Sequence, residues 1–240
     1  MNNTPPVTKN LIIINVLCFF ATIVGQKYNM DLNDMLGLHY FESEKFRLYQ
    51  FITYMFMHGS FKHLFFNMFA VWMFGRILES VWGSQRFLFF YVFCGMGAGL
   101  VQEVTQYFEL MPLLHDMKIL STYASDESIV INGIARTAAE RLAICQNILN
   151  HISTVGASGA VYAVLMAFGM LFPNQPMYII PFPMPIKTKW VIIGYVVLEI
   201  YLGIKSNDGI AHFAHLGGMI FGFLLMMYWK KKGTFHGKYF

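Results

Sequence analysis

"HGSFKHLFFN", residues 58 to 67, opens a stretch that continues as "MFAVWMFGRIL" to Leu78. Polar side chains are costly inside a membrane-spanning helix, so His58, His63 and Asn67 at the head of such a segment require a reason. The rest of the chain has to supply the groups that they meet.

The composition sets the class. Of 240 residues, 56% are hydrophobic and 12% charged, about half the charged share of a soluble globular domain, and mean hydropathy is +0.49. An integral membrane protein follows. The net charge of +4 is small and scattered, which argues against a nucleic-acid partner. Cys18, Cys94 and Cys145 lie far apart without metal or redox spacing; Cys18 and Cys94 fall in apolar runs and read as buried free thiols.

About 20 helical residues cross a hydrocarbon core of ~30 Å. Six apolar segments are expected to span, at about 11–24, 58–78, 87–108, 156–172, 190–204 and 210–229. After the first there is no small-residue cleavage site followed by a polar domain, so it reads as a permanent span and not a signal peptide. With both termini cytoplasmic, the inside segments hold nine of the 17 basic residues, including Lys9, Arg76, Arg86 and the tail lysines Lys230, Lys231 and Lys232. This favours an N-in, C-in arrangement. The expected fold is an all-α membrane bundle, one domain over 1–240, with interfacial loop helices.

Two connections are more than turns. Residues 26–57 include "HYFESEKFRLYQF", aromatic and charged enough to lie in the membrane interface. Residues 109–155 form an accessory loop in which Ile134, Ala138, Leu142, Cys145, Leu149 and Ile152 recur at helical spacing.

The polar residues within the spans converge. His63 and Asn67 are four apart on one helical face. "VGASGAVYAV" sets Ser158 between Gly156 and Gly159, with Tyr162 one turn on. "IAHFAHLGGMIFG" supplies His212 and His215, followed by Gly218 and Gly222. Taken singly, each has an ordinary explanation: a serine between glycines and a GxxxG pair are small-residue helix contacts, and His63 with Asn67 can bond across helices as glue. Taken together they suit serine hydrolysis. Ser158 can be the nucleophile and His215 its base, provided that the fourth and sixth helices touch, which Gly159, Gly218 and Gly222 permit. The Ser158 N–H, His63 and Asn67 are candidate oxyanion donors, and Tyr162 can pack on the imidazole. No acidic residue lies near His215 in its own span, so a dyad is expected. The chain has no His-Glu-x-x-His run, and the aspartates all fall in connecting loops, which disfavours metallo- and aspartyl proteases of the membrane.

These motifs resemble those of the rhomboid family of intramembrane serine proteases. The family's histidine, second histidine and asparagine are matched by His58, His63 and Asn67. Its G-x-S-G by Gly156 to Gly159 is followed by Tyr162, and its sixth-helix "AHLGG" with a further glycine by Ala214 to Gly218 and Gly222. The resemblance implies a six-helix bundle that cleaves transmembrane substrate proteins without a cofactor or metal, and it favours His215 over His212 as base. A supporting polar role stays open for His212. Where many members carry Trp-Arg in the first loop, this chain has Tyr49 and Gln50. A catalytically inactive rhomboid-like protein that binds or escorts membrane clients is the alternative. The compact chain suggests a bacterial inner membrane.

Overall fold

A computed structural model describes residues 4–122, 129–131, 134–178, 184–205 and 210–233. In chain order the elements are α1 (Pro6–Lys27), α2 (Leu32–Leu36), β1 (Leu38–His39) and α3 (Gln50–Thr53), then α4 (Phe61–Ala70), a π turn (Val71–Gly75), α5 (Arg76–Trp82) and α6 (Ser84–Thr122). There follow β2 (Ile129–Ile131), β3 (Ile134–Arg136), α7 (Ala138–His151), β4 (Ser153–Thr154), α8 (Ser158–Leu171), β5 (Pro176–Met177), β6 (Ile186–Lys187), α9 (Thr188–Lys205) and α10 (His212–Lys231).

Among the described residues, four helices are long and apolar enough to cross a membrane: α1, the continuous stretch Phe61–Trp82, Ser84–His115 of α6, and α10. The other two expected spans differ for physical reasons. At 14 residues α8 is only about 21 Å long, short of the hydrocarbon thickness. Helix α9 has 18 residues but carries Lys189, Glu199 and Lys205. Large apolar side chains point outward along α1 and α4, among them Leu17, Phe20, Phe61 and Phe66. Such surfaces suit lipid, and some polar side chains bond back to their own helix: Asn15 Nδ2 donates to the Leu11 carbonyl at 2.7 Å, and Thr22 Oγ1 to that of Cys18 at 3.0 Å.

Helix α8 forms the core of the bundle. Residues Gly159, Ala160, Val161, Ala163, Val164 and Leu165 are all buried, because α10, α6 and α9 pack around it. The α8–α10 contact is backbone on backbone: a Cβ at Gly218 would collide with the Gly159 carbonyl, and one at Gly222 would stand 3.1 Å from Ala163 Cβ. Small residues thus let two membrane helices close directly on each other.

The accessory segment departs from its expected outline. Helix α6 continues to Thr122 with Pro112 inside it, which carries Asp116 onto a helix beyond the apolar stretch. Ile134 begins strand β3, paired antiparallel with β2, so the helical pattern starts later than its periodicity suggests. Thr137 is the reason. It forms a capping box with Glu140 that sets the first turn of α7, and Cys145 and Leu149 are buried beneath. Residues 123–128 and 132–133 of that segment lie outside the described residues, as do 206–209, between the fifth and sixth expected spans.

Candidate active site

The loop before α8 is fastened from the front. Strand β1 pairs with β4, Leu38 opposite Thr154 and His39 opposite Ser153, and the Gly156 N–H donates to the Tyr54 carbonyl at 2.9 Å. Tyr54 is held in turn by its hydroxyl, which donates to the Gly95 carbonyl at 2.7 Å. The chain then turns into α8 through Gly156, whose φ of 132° lies in the region that side chains avoid. A side chain is excluded there twice over, since a Cβ would lie 2.6 Å from His63 Cε1 and 2.8 Å from its Nε2. Ser158 becomes the first residue of α8, where unpaired backbone N–H groups and the helix dipole favour negative charge.

Ser60 starts α4 by accepting from the His63 N–H at 3.2 Å, which places His63 in the first turn and Asn67 one turn deeper. Asn67 Nδ2 donates to His58 Nε2 at 3.1 Å. Burial, reinforced by neighbouring His63, pushes the His58 imidazole, three residues before the helix, down to about 4. The ring is neutral, so its bare nitrogen can accept and fix the amide.

Ser158 Oγ and His215 Nε2 stand 2.9 Å apart, brought together by the α8–α10 contact. Tyr162 stacks on the His215 ring with centroids 4.3 Å apart and planes 10° from parallel. The neighbours on the far side of that ring were not all foreseen. His215 Nδ1 lies 3.1 Å from Glu199 Oε2, His212 Nδ1 lies 2.6 Å from the same oxygen, and the Tyr162 hydroxyl donates to Oε1 at 2.5 Å. A third group therefore joins the expected pair. The signal for it was in the sequence: Glu199 is the one acidic residue in the apolar run from Trp190 to Ile204, and an ionisable residue in such a run marks function.

Ser158, His215, His63 and Asn67 face one cavity of about 880 Å³, whose wall also includes Gln102, Gln106 and His151. The remaining expected supporting residues serve packing: Gly159, Gly218 and Gly222 set the helix spacing, Gly156 makes room for His63, and His58 stands behind Asn67.

A bundle of apolar helices around a cavity lined by a serine bonded to a histidine defines a helical membrane protein with an embedded hydroxyl–imidazole site. Residues 45–232 match the family model described as the Rhomboid domain, and the chain belongs to the rhomboid family. It is 27% identical over 212 residues to RHOMBOID-like protein 12, mitochondrial, of Arabidopsis thaliana, covering 88% of this chain and 55% of that one. To Rhomboid protease AarA of Providencia stuartii it is 24% identical over 230 residues, 91% of this chain and 70% of the relative. With Rhomboid protein 1, mitochondrial, of Saccharomyces cerevisiae it shares 28% over 177 residues, 73% and 40% of the two chains. The chain thus spans little more than half the length of the Arabidopsis relative. These names fall in bacteria and mitochondria alike, so membership of the family does not select a bacterial inner membrane.

Proposed function

We propose that the chain is an intramembrane serine protease acting on transmembrane substrate proteins. The observation that carries this reading is the 2.9 Å contact between Ser158 Oγ and His215 Nε2, both of which line one cavity. Ser158 Oγ attacks the scissile carbonyl carbon as its proton passes to His215 Nε2. The resulting oxyanion is held by the Ser158 N–H, His63 and the second hydrogen of the Asn67 amide. His215 then gives its proton to the leaving amine as the C–N bond breaks, and a water, deprotonated by the same nitrogen, hydrolyses the acyl ester. The family resemblance implies no cofactor for these steps.

The membrane setting follows from the four apolar helices. Six crossings with both termini cytoplasmic rest on the basic-residue distribution and on α8 and α9 completing the bundle. The relative named as a protease supports the enzymatic reading without deciding it at 24% identity.

The test is covalent labelling of detergent-solubilised protein with a fluorophosphonate, alongside cleavage of a single-span reporter in proteoliposomes. Wild-type protein is expected to label and to cleave, and Ser158→Ala to do neither while keeping its melting behaviour. Folded wild-type protein that neither labels nor cleaves would overturn the reading in favour of a client-binding rhomboid-like protein.

A further inference from the structure

A carboxylate buried in an apolar helix needs partners, and those of Glu199 are unusual. Its side chain is 5% exposed, on α9, and its donors come from α8 and α10: the Tyr162 hydroxyl on Oε1 and two imidazole Nδ1 atoms on Oε2. An ionised carboxylate only accepts. Both histidines must therefore carry a proton on Nδ1, and for neutral His215 that leaves Nε2 bare, 2.9 Å from Ser158 Oγ. This is the tautomer that a base needs. The opposite one would aim an N–H at the nucleophile and remove no proton from it.

We propose that Glu199 is a positioning residue that locks His215 in its base-competent tautomer and offsets the imidazolium charge during reaction, turning the Ser158–His215 pair into a three-residue relay built across α8, α9 and α10. The inference rests on the reading of Ser158 and His215 as nucleophile and base. His212 and Tyr162 hold the carboxylate in place through their own bonds to it. A metal ion is a poorer account of the same cluster. Three donors around a tetrahedral zinc sit about 3.3 Å from one another, given metal–ligand distances near 2.0–2.2 Å, whereas His212 Nδ1 and Glu199 Oε2 are 2.6 Å apart, a hydrogen-bond separation.

The relay makes an ordering prediction that a merely structural glutamate does not. Glutamine has the same shape as glutamate but presents an amide N–H that can turn the His215 tautomer around, whereas aspartate is shorter but keeps the acceptor-only charge. In reporter cleavage, Glu199→Gln should lower kcat about 100-fold or more, with KM within about twofold, by analogy with carboxylate-to-amide changes in soluble triads. Glu199→Asp should retain at least about tenfold more kcat than the glutamine variant. A glutamate that only fills space and bonds would give the reverse order, with the isosteric glutamine closer to wild type, and that order would overturn the proposal.

A measurement on unaltered protein covers the case in which the variants do not fold. In protein with 15N-labelled histidine, the His215 ring, assigned by its loss in His215→Gln, should show a protonated Nδ1 and a bare Nε2. An Nε2-protonated ring would overturn the proposal as well. The two readings fail differently. Wild-type protein that does not label at Ser158 sinks the protease assignment, whereas active wild type with an equally active Glu199→Gln sinks only the relay.

Discussion

Among the described residues three glutamates are buried in the apolar helices, Glu79, Glu103 and Glu199, and the first and last of them do opposite work. Glu79, on α5, is 2% exposed; Glu199, on α9, is 3% exposed. Around Glu79 the donors are the N–H groups of Val7 and Thr8 at 2.9 and 2.7 Å, Thr8 Oγ1 at 2.7 Å and Ser84 Oγ at 2.6 Å. These come from the first turns of α1 and α6, where backbone N–H groups have no helical acceptor and the dipole favours an anion. The carboxylate ties three helices at one point. Around Glu199 the donors are a phenol and two imidazoles. A backbone N–H has one state, but an imidazole has two tautomers and a charged form, so a carboxylate bonded to imidazoles selects among states. Burial alone does not separate the two roles. Donor type does.

Mutation can break this contrast. The largest effect on turnover is expected on the Glu199 side, from His215→Ala, where kcat should fall by about 10³-fold or more with little change in thermal melting; retained activity would move the base elsewhere, His212 being the first candidate. Tyr162→Phe ranks below Glu199→Gln. It keeps the stacked ring and removes one hydrogen bond to a charged group, worth about 1.5 kcal/mol, so reporter cleavage should slow by roughly tenfold. The smallest effect on turnover should come from Glu79→Ala. There the folded fraction should cleave within about twofold of wild type, while unfolding in a denaturing-detergent titration should become easier by about 2–4 kcal/mol, as buried donors lose a charged acceptor. A Glu79 variant that kept its stability and lost kcat would erase the distinction.

Much of the site was legible because its residues recur at helical spacing. His63 and Asn67 four apart, Ser158 and Tyr162 four apart, and the glycines three and seven after His215 place each group on one face of one helix. The relation between helices was less so. Glu199 is 16 residues before His215 and on a different helix, and periodicity within a span carries no information about which neighbouring helix a side chain will meet. Looking for an acid only in His215's own span therefore pointed to a dyad. The front of the site was hidden for a different reason. Strands β1 and β4 are two residues each and 114 positions apart in the chain, too short to show alternation. The extension of α6 runs through Pro112, a residue that ordinarily argues for a helix end.

The glycine contact between α8 and α10 also acts mechanically as a fulcrum. Gly218 rests on Gly159 three residues past His215, about 4.5 Å along the helix axis, while Lys231 lies 13 residues the other way, about 20 Å. If α10 tilts to suit a thicker or thinner bilayer, its cytoplasm-proposed end sweeps through roughly four times the displacement of the imidazole. With the pivot so near the histidine, any such tilt moves the imidazole by only about a quarter of what it moves Lys231.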